Sequence, residues 1–312
     1  MKTRNYIKDI LFGVCIGDAL GVPVEFESRN FLKKNPVLKM LSGGIHGQVE
    51  GVWSDDSSLT FCLAETIAEG YNINLLAEKF IAWKYKAYWT ATGEVFDIGN
   101  ATRLAISNLS KGISPIEAGG KNDSDNGNGS LMRILPLVLL LKDLPIEDRF
   151  MLTKEVSSIT HAHPRSVMAC FYYLEFALEL MKGKNKFEIY QDLKSNVLDV
   201  FNSNNDYIKE THHFNKLLKE NIHDLNENSI ESSGYVIHTL EASIWCLLTT
   251  NAYEEAVFKA VNLGEDTDTT GAVTGGLAGL LYGYDSIPVE WINKIKSKNA
   301  IDYFIDKFSI TS

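Results

Sequence analysis

Apolar residues recur at helical spacing along most of this chain. Val167, Phe171, Leu174, Leu178 and Met181 step by four, three, four and three residues, which predicts a helix with one buried face over residues 165–181. Leu59, Cys62, Leu63 and Ile67 repeat the pattern directly after Ser54-Asp55-Asp56-Ser57, as do Leu76, Phe80, Trp83 and Ala87. Segments 236–248 and 253–262 carry similar stripes, and Ile7, Ile10, Leu11 and Val14 form another near the N-terminus. Period-two alternation is confined to the very short stretches 22–26 and 49–53. The pattern predicts an all-α fold, a compact bundle of about a dozen helices, in one domain spanning residues 1–312.

Glycine modifies this picture in one place. Gly271, Gly275, Gly279 and Gly283 fall every fourth residue around an apolar, alanine-containing segment. On a helix they form one bare ridge that lets another helix approach backbone to backbone. In a bilayer such a ridge marks a dimer contact, but the apolar segment 271–282 is too short to span one. It therefore predicts a tightly packed central helix, whose low intrinsic propensity close packing must offset. Residues 184–232 are richer in Asn, Lys, Asp and Glu and read as surface helices and loops. Residues 121–129 read as a loop leading into Ser130-Leu131-Met132-Arg133.

The N-terminus has a superficial likeness to a secretion signal, because Lys2, Arg4 and Lys8 precede the apolar run 10–16. Asp9 and Asp18 bracket that run and no small-residue cleavage pattern follows, so an ordinary amphipathic helix is expected. Composition agrees with a globular protein: 45% of the residues are hydrophobic and 22% charged. A net charge of −10 offers no basic stripe to a phosphate backbone, so neither a nucleic-acid nor a membrane partner is expected. Cys15, Cys62, Cys170 and Cys246 lie far apart among apolar neighbours. That spacing suits neither a disulfide framework nor a zinc knuckle, and predicts a cytoplasmic location.

Candidate chemistry concentrates in two segments of one design. Trp53-Ser54-Asp55-Asp56-Ser57 precedes one predicted helix, and Gly264-Glu265-Asp266-Thr267-Asp268-Thr269-Thr270 precedes the glycine-ridged one. Ser, Thr and Asp at a helix start satisfy orphan N–H groups, but one acid and one hydroxyl suffice, and each segment offers two carboxylates. Two readings stand: caps on separate helices, or two helix starts that meet. If they meet, Asp55, Asp56, Asp266 and Asp268 crowd negative charge that only cations relieve. An oxygen-only donor set without His or Cys favours Mg²⁺ or Mn²⁺ over zinc. Asp97-Ile98-Gly99-Asn100 and Gly127-Asn128-Gly129-Ser130 are turn chemistry by default, and alternatively loops presenting backbone N–H groups to a phosphate. His161-Ala162-His163-Pro164 reads as a helix-start turn before a zinc pair. Tyr235 and His238 read as core-edge residues.

Taken together, Gly17-Asp18-Ala19-Leu20-Gly21, Ser54-Asp55-Asp56-Ser57, Asp97-Ile98-Gly99-Asn100, Gly127 through Arg133, Thr160-His161-Ala162-His163-Pro164 and Gly264 through Gly271 resemble the motifs of the ADP-ribosylglycohydrolase family, in that family's order. The resemblance implies an orthogonal all-α fold with two Mg²⁺ or Mn²⁺ ions at the base of an ADP-ribose cleft. It implies Ser54, Asp55, Asp56, Asp266, Asp268 and Thr269 as metal ligands. Asp97, Glu25 and Asp268 would be the catalytic acids, with Glu25 reaching the metal site or gating the cleft. Gly127, Asn128, Gly129, Ser130, His161 and Tyr235 would bind substrate, the tyrosine near the adenine. Glu265 stands where the family often has glycine, and an added carboxylate there is expected to alter the metals' outer shell. The implied activity is removal of ADP-ribose from modified protein side chains, arginine foremost, with free ADP-ribose as product. A catalytically silent ADP-ribose-binding relative, or a metallohydrolase of another ADP-ribose glycoside, is the alternative.

Overall fold

The computed structural model describes residues 4–311; Lys2 of the basic N-terminal group lies outside the described residues, as do both ends of the predicted 1–312 domain. All regular elements among the described residues are helical, and β-pairing is limited to the isolated bridges Gly43↔Gln48, Gly120↔His161 and Gly127↔Tyr235. The predicted helices appear as Asp55–Ala68, Ile73–Lys86, Pro164–Met181, Val236–Leu248 and Tyr253–Val261. The two strand candidates do not form: Val22–Val24 is a 3₁₀ turn held by Pro23, and 49–53 is irregular chain. Among the described residues no helix is long and apolar enough to cross a membrane.

Two helices lie at the centre, Tyr6–Gly21 and Thr267–Tyr282. The predicted glycine ridge is real, but it has a partner on the first helix that the stripe of Ile7, Ile10, Leu11 and Val14 concealed. A Cβ on Gly13 would stand 2.5 Å from the Gly275 carbonyl oxygen, and one on Gly17 2.0 Å from that of Gly271. Reciprocally, a Cβ on Gly271 would stand 2.4 Å from the Gly17 carbonyl oxygen. The two ridges thus mesh backbone on backbone. Gly283 does not extend the ridge; at φ +85° it ends the helix. Neither helix is amphipathic in the surface sense, since Ile10, Phe12, Val14 and Ile16 point in different directions and are all fully buried.

Around this pair the remaining helices form a continuous core. Residues 184–232 are more than surface: Tyr190, Phe201, Phe214, Leu217 and Ile222 are fully buried within them. Widely spaced aromatic and aliphatic residues among polar ones anchor a series of short helices, a spacing too irregular for a stripe. Arg29 ties this region to the second acidic segment, donating to the carbonyls of Leu263 (2.7 Å), Glu227 (2.8 Å) and Ile230 (2.6 Å).

Candidate active site

The glycine crossing places the two acidic segments. A Cβ on Gly21 would lie 2.3 Å from the Asp268 Cα, and the Thr267 hydroxyl donates to the Gly21 carbonyl at 2.8 Å. One turn earlier, the buried Asp18 carboxylate accepts the Ser54 N–H at 2.9 Å, the Ser57 N–H at 3.0 Å and the Ser57 hydroxyl at 2.5 Å. Ser54 caps the helix Asp55–Ala68, its Oγ accepting the Asp56 N–H at 3.3 Å, and Asp18 completes the capping from a neighbouring helix. Capping does not consume Asp55 or Asp56, and Asp266 likewise makes no side-chain cap to its own helix. The two helix starts meet. Ser54 Oγ donates to Asp56 Oδ2 at 3.0 Å, and Thr269 Oγ1 reaches the same oxygen from the other segment at 3.4 Å. Asp56 Oδ1 and Asp268 Oδ2 are buried without any hydrogen-bond partner.

Above these acids lies a cavity of about 310 Å³, lined by Glu25, Asp55, Asp97, Asp266 and Thr269 on one side and by Gly127, Asn128, Gly129 and His161 on the other. Ser54, Asp56 and Asp268 sit beneath its floor, nearly or fully buried. Asn128 holds an acid in place: its amide donates to Asp266 Oδ2 at 2.8 Å and to Thr239 Oγ1 at 2.9 Å. The glycines beside it make room for an imidazole, since a Cβ on Gly129 would meet His161 Cε1 at 2.8 Å. Two expected substrate contacts differ. The Ser130 hydroxyl faces away from the cavity, 3.4 Å from Cys170 Sγ and 3.0 Å from Ser157 Oγ. Tyr235 is outside the lining; it joins the site through the Gly127↔Tyr235 bridge, with its hydroxyl 3.3 Å from His213 Nδ1.

One site residue escaped the sequence reading. His46 places Nε2 2.5 Å from Glu25 Oε2 and 3.9 Å from Asp97 Oδ1. Its ring centroid lies 5.2 Å from that of Phe96 and 6.5 Å from that of Phe26. Glu25, His46 and Asp97 form the compact group of potential metal-ligating side chains at this cavity, tighter than any three of Asp55, Asp56, Asp266 and Asp268. Of six non-glycine residues with positive φ, Phe26 (+65°), Asp97 (+50°) and Glu265 (+63°) border this cavity or adjoin its acids. Left-handed backbone at such residues is costly and concentrates at functional sites. Phe26 and Glu265 are locked by reciprocal pairing: Phe26 N–H donates to the Glu265 carbonyl at 2.7 Å, and Glu265 N–H to the Glu27 carbonyl at 2.8 Å. The Glu265 side chain is exposed and outside the lining, so the extra carboxylate does not enter the acid cluster. What its position selects is the left-handed φ, which glycine adopts without strain.

The family model described as ADP-ribosylglycohydrolase matches residues 1–311. The chain belongs to the ADP-ribosylglycohydrolase family. It is 33% identical over 308 residues to the ADP-ribosylarginine hydrolase Tri1 of Serratia proteamaculans, covering 96% of this chain and 78% of that protein. It is 27% identical over 292 residues to the ADP-ribosyl-[dinitrogen reductase] glycohydrolase of Rhodospirillum rubrum, covering 92% and 88%. A solved structure described as an ADP-ribosylglycohydrolase-related protein complex superposes with a TM-score of 0.80 at 27% identity, over 99% of this chain and 98% of that one.

The electrostatics of this ADP-ribosylglycohydrolase cavity are those of a cation site. Burial, then Asp97, Asp266 and Asp18, push Glu25 up to about 9. Burial and neighbouring carboxylates hold Asp55, Asp56 and Asp268 well above the usual carboxylate range. Burial raises Asp97 too, opposed by its proximity to Asp268 and by His46. Six carboxylates, Glu25, Asp55, Asp56, Asp97, Asp266 and Asp268, with His46, the Asn128 amide and the Ser54 and Thr269 hydroxyls beside them and two orphaned oxygens, fit hard divalent cations. A second group, Asp123, His163 and Glu210, carries its own cation: Arg165 Nε donates to Glu210 at 2.7 Å, and its Nη2 reaches Asp123 at 3.4 Å. His163 is a helix cap, its Nδ1 accepting the Arg165 N–H at 3.2 Å, as the helix-start reading expected.

Proposed function

We propose that this chain cleaves ADP-ribose from modified protein side chains, arginine foremost, using two divalent cations, Mg²⁺ or Mn²⁺, in the cytoplasm. The observation that carries this reading is the pair of orphaned buried oxygens, Asp56 Oδ1 and Asp268 Oδ2, where two helix starts meet beneath a cavity. Ser54, Asp55, Asp56, Asp266, Asp268 and Thr269 would hold the cations. When bound, these supply Lewis acidity and orient ribose hydroxyls and water.

The chain's own residues do the rest. Asp18 helps fix the first helix start so that capping consumes neither the Asp55 carboxylate nor Asp56 Oδ1, and Asn128 fixes Asp266. The Gly127–Gly129 loop lets a diphosphate approach the backbone, with His161 behind it. Glu25, Asp97 and His46 stand at the cavity mouth as groups able to give or take a proton when the C1″ bond breaks. Phe26, 61% exposed, extends an apolar rim there toward a protein substrate. A net charge of −10 and the absence of a membrane-length helix support a protein partner over nucleic acid or lipid. Four free, buried cysteines support a reducing compartment.

The test is hydrolysis of defined arginine- and serine-linked ADP-ribosyl peptides with Mg²⁺, Mn²⁺ or EDTA. Release of free ADP-ribose from the arginine-linked peptide, abolished by EDTA and reduced on the order of 100-fold or more in Asp55→Ala and Asp268→Ala, is expected. Metal-independent turnover, or Asp268→Ala at wild-type rate, overturns the reading. Tight ADP-ribose binding without turnover would favour the silent relative instead.

A further inference from the structure

A buried cation without a counter-ion lies behind the cavity. Arg133 is fully buried. Its Nη2 donates to Thr160 Oγ1 at 2.7 Å, both Nη atoms reach the Val156 carbonyl only at 3.4 Å, and Nε has no partner. The guanidinium rests 4.9 Å from the Phe80 ring centre, and no carboxylate among the described residues pairs with it. Burial lowers it only to about 10, so it stays charged at neutral pH. An unpaired buried charge costs several kcal/mol on the order-of-magnitude scale, and an apolar side chain would pack this position more cheaply.

Thr160 leads from this charge to the cavity. Its hydroxyl, which accepts from Arg133, lies 2.8 Å from His161 Nδ1. A hydroxyl has one proton and two lone pairs. With Arg133 on a lone pair and no other acceptor in reach among the described residues, the proton is left for Nδ1. Arg133 and burial both disfavour the imidazolium, lowering His161 to about 3. The neutral ring therefore carries its hydrogen on Nε2. No described residue accepts from that atom, and it faces the Gly127–Gly129 loop, where a Cβ on Gly127 would stand 3.5 Å from it.

We propose that Arg133, acting through Thr160, locks His161 as the Nε2–H tautomer and so presents a permanently neutral N–H donor to the diphosphate oxygens of an ADP-ribosyl ligand. Arg133 and Thr160 are positioning residues, and the ligand half of this inference rests on the function proposed above. A neutral donor with a fixed tautomer needs no reorganisation as the ligand arrives, whereas an untethered imidazole would divide between two tautomers, only one of which offers the Nε2–H donor.

The lock is tested by two-dimensional ¹⁵N–¹H spectra of the His161 ring in the wild type and in Thr160→Val, which keeps the volume and removes the hydroxyl. The wild type is expected to show a protonated Nε2 and a bare Nδ1, and Thr160→Val a tautomer mixture. Calorimetry with free ADP-ribose is expected to give affinity weaker in Thr160→Val and Arg133→Met by the factor set by the lost Nε2–H population, about two- to threefold. Arg133→Lys, which keeps a charge and a donor, should recover most of the loss. In arginine-linked peptide hydrolysis the loss should fall on KM, with kcat nearly unchanged. A wild-type ring protonated on Nδ1, or a Thr160→Val ring and affinity indistinguishable from wild type, overturns the lock. Wild-type protein that binds no ADP-ribose overturns the ligand assignment and the proposed function together, while the spectra still decide the lock. Thr160→Val keeps the question decidable if Arg133→Met fails to fold.

Discussion

Individual side chains here have jobs that residue type alone does not disclose. The acids at 55, 56, 266 and 268 were legible because two carboxylates exceed what a helix start can use. That Asp18 shares the capping task with Ser54 was not legible, because a carboxylate ending one helix carries no sign of the helix it will serve. His46 was equally hidden. It follows Gly43 and Gly44, whose positive φ values turn the chain, and only that path brings it to Glu25, 21 residues earlier in sequence. Replacing His46 with Ala should lower kcat for the arginine-linked substrate by about tenfold or more while leaving metal affinity little changed; unchanged kcat would remove His46 from the cavity's proton-handling set. His161 offers a stability measurement. Its folded-state value, about 3, lies below the unfolded 6.5, so below pH 6.5 the unfolded chain binds the extra proton. Stability from this group is complete above pH 6.5 and is lost as pH falls toward 3, by up to about 1.4 kcal/mol per pH unit. Burial is the main cause of the shift; Arg133 extends the loss to lower pH and Asp125 opposes it. The difference between wild type and His161→Gln in denaturant midpoints from pH 7 to 4 isolates it, and parallel curves would contradict it.

At the scale of elements, the decisive object is a pair of meshed ridges, of which the sequence displayed one. Gly271, Gly275 and Gly279 stood out against apolar neighbours. Gly13, Gly17 and Gly21 did not, because a period-four glycine set inside a strongly apolar run is masked by the run itself. Gly17→Ala would thrust a methyl carbon to within 2.0 Å of the Gly271 carbonyl oxygen, and neither backbone can yield without moving Asp18 or Asp268. The expected result is destabilisation of about 1–3 kcal/mol or more, together with loss of turnover out of proportion to the fraction unfolded. A Gly17→Ala protein with wild-type melting temperature and activity would show that the crossing tolerates more space than its geometry allows. Helix existence was legible throughout where stripes ran three turns or longer. The short helices of 184–232 were not, since each commits only one or two large residues to the core.

For the whole molecule, the concentration of acids is a stability liability that the proposed cations would relieve. Neutralising one of them, as in Asp56→Asn, should raise the chelator-treated protein's melting temperature by roughly a few degrees and abolish activity. Conversely, Mg²⁺ or Mn²⁺ should raise the wild-type melting temperature in proportion to the logarithm of its concentration and leave Asp56→Asn nearly unmoved. Equal metal-induced shifts in both proteins would place the ions elsewhere. All-helical architecture was legible from periodicity alone. Which helix starts would meet was not, because that depends on a contact between residues about 250 positions apart, at Gly17 and Gly271.

That contact also imposes an order on synthesis. The first helix emerges from the ribosome with its glycine groove bare, and its mate follows only about 250 residues later. A nascent chain halted anywhere short of the second acidic segment therefore lacks half of its charge cluster and the backbone that fills the groove. Catalytic competence should arrive only once that segment has emerged, and until then the waiting first helix is a natural client for chaperones that shield apolar, glycine-notched surfaces.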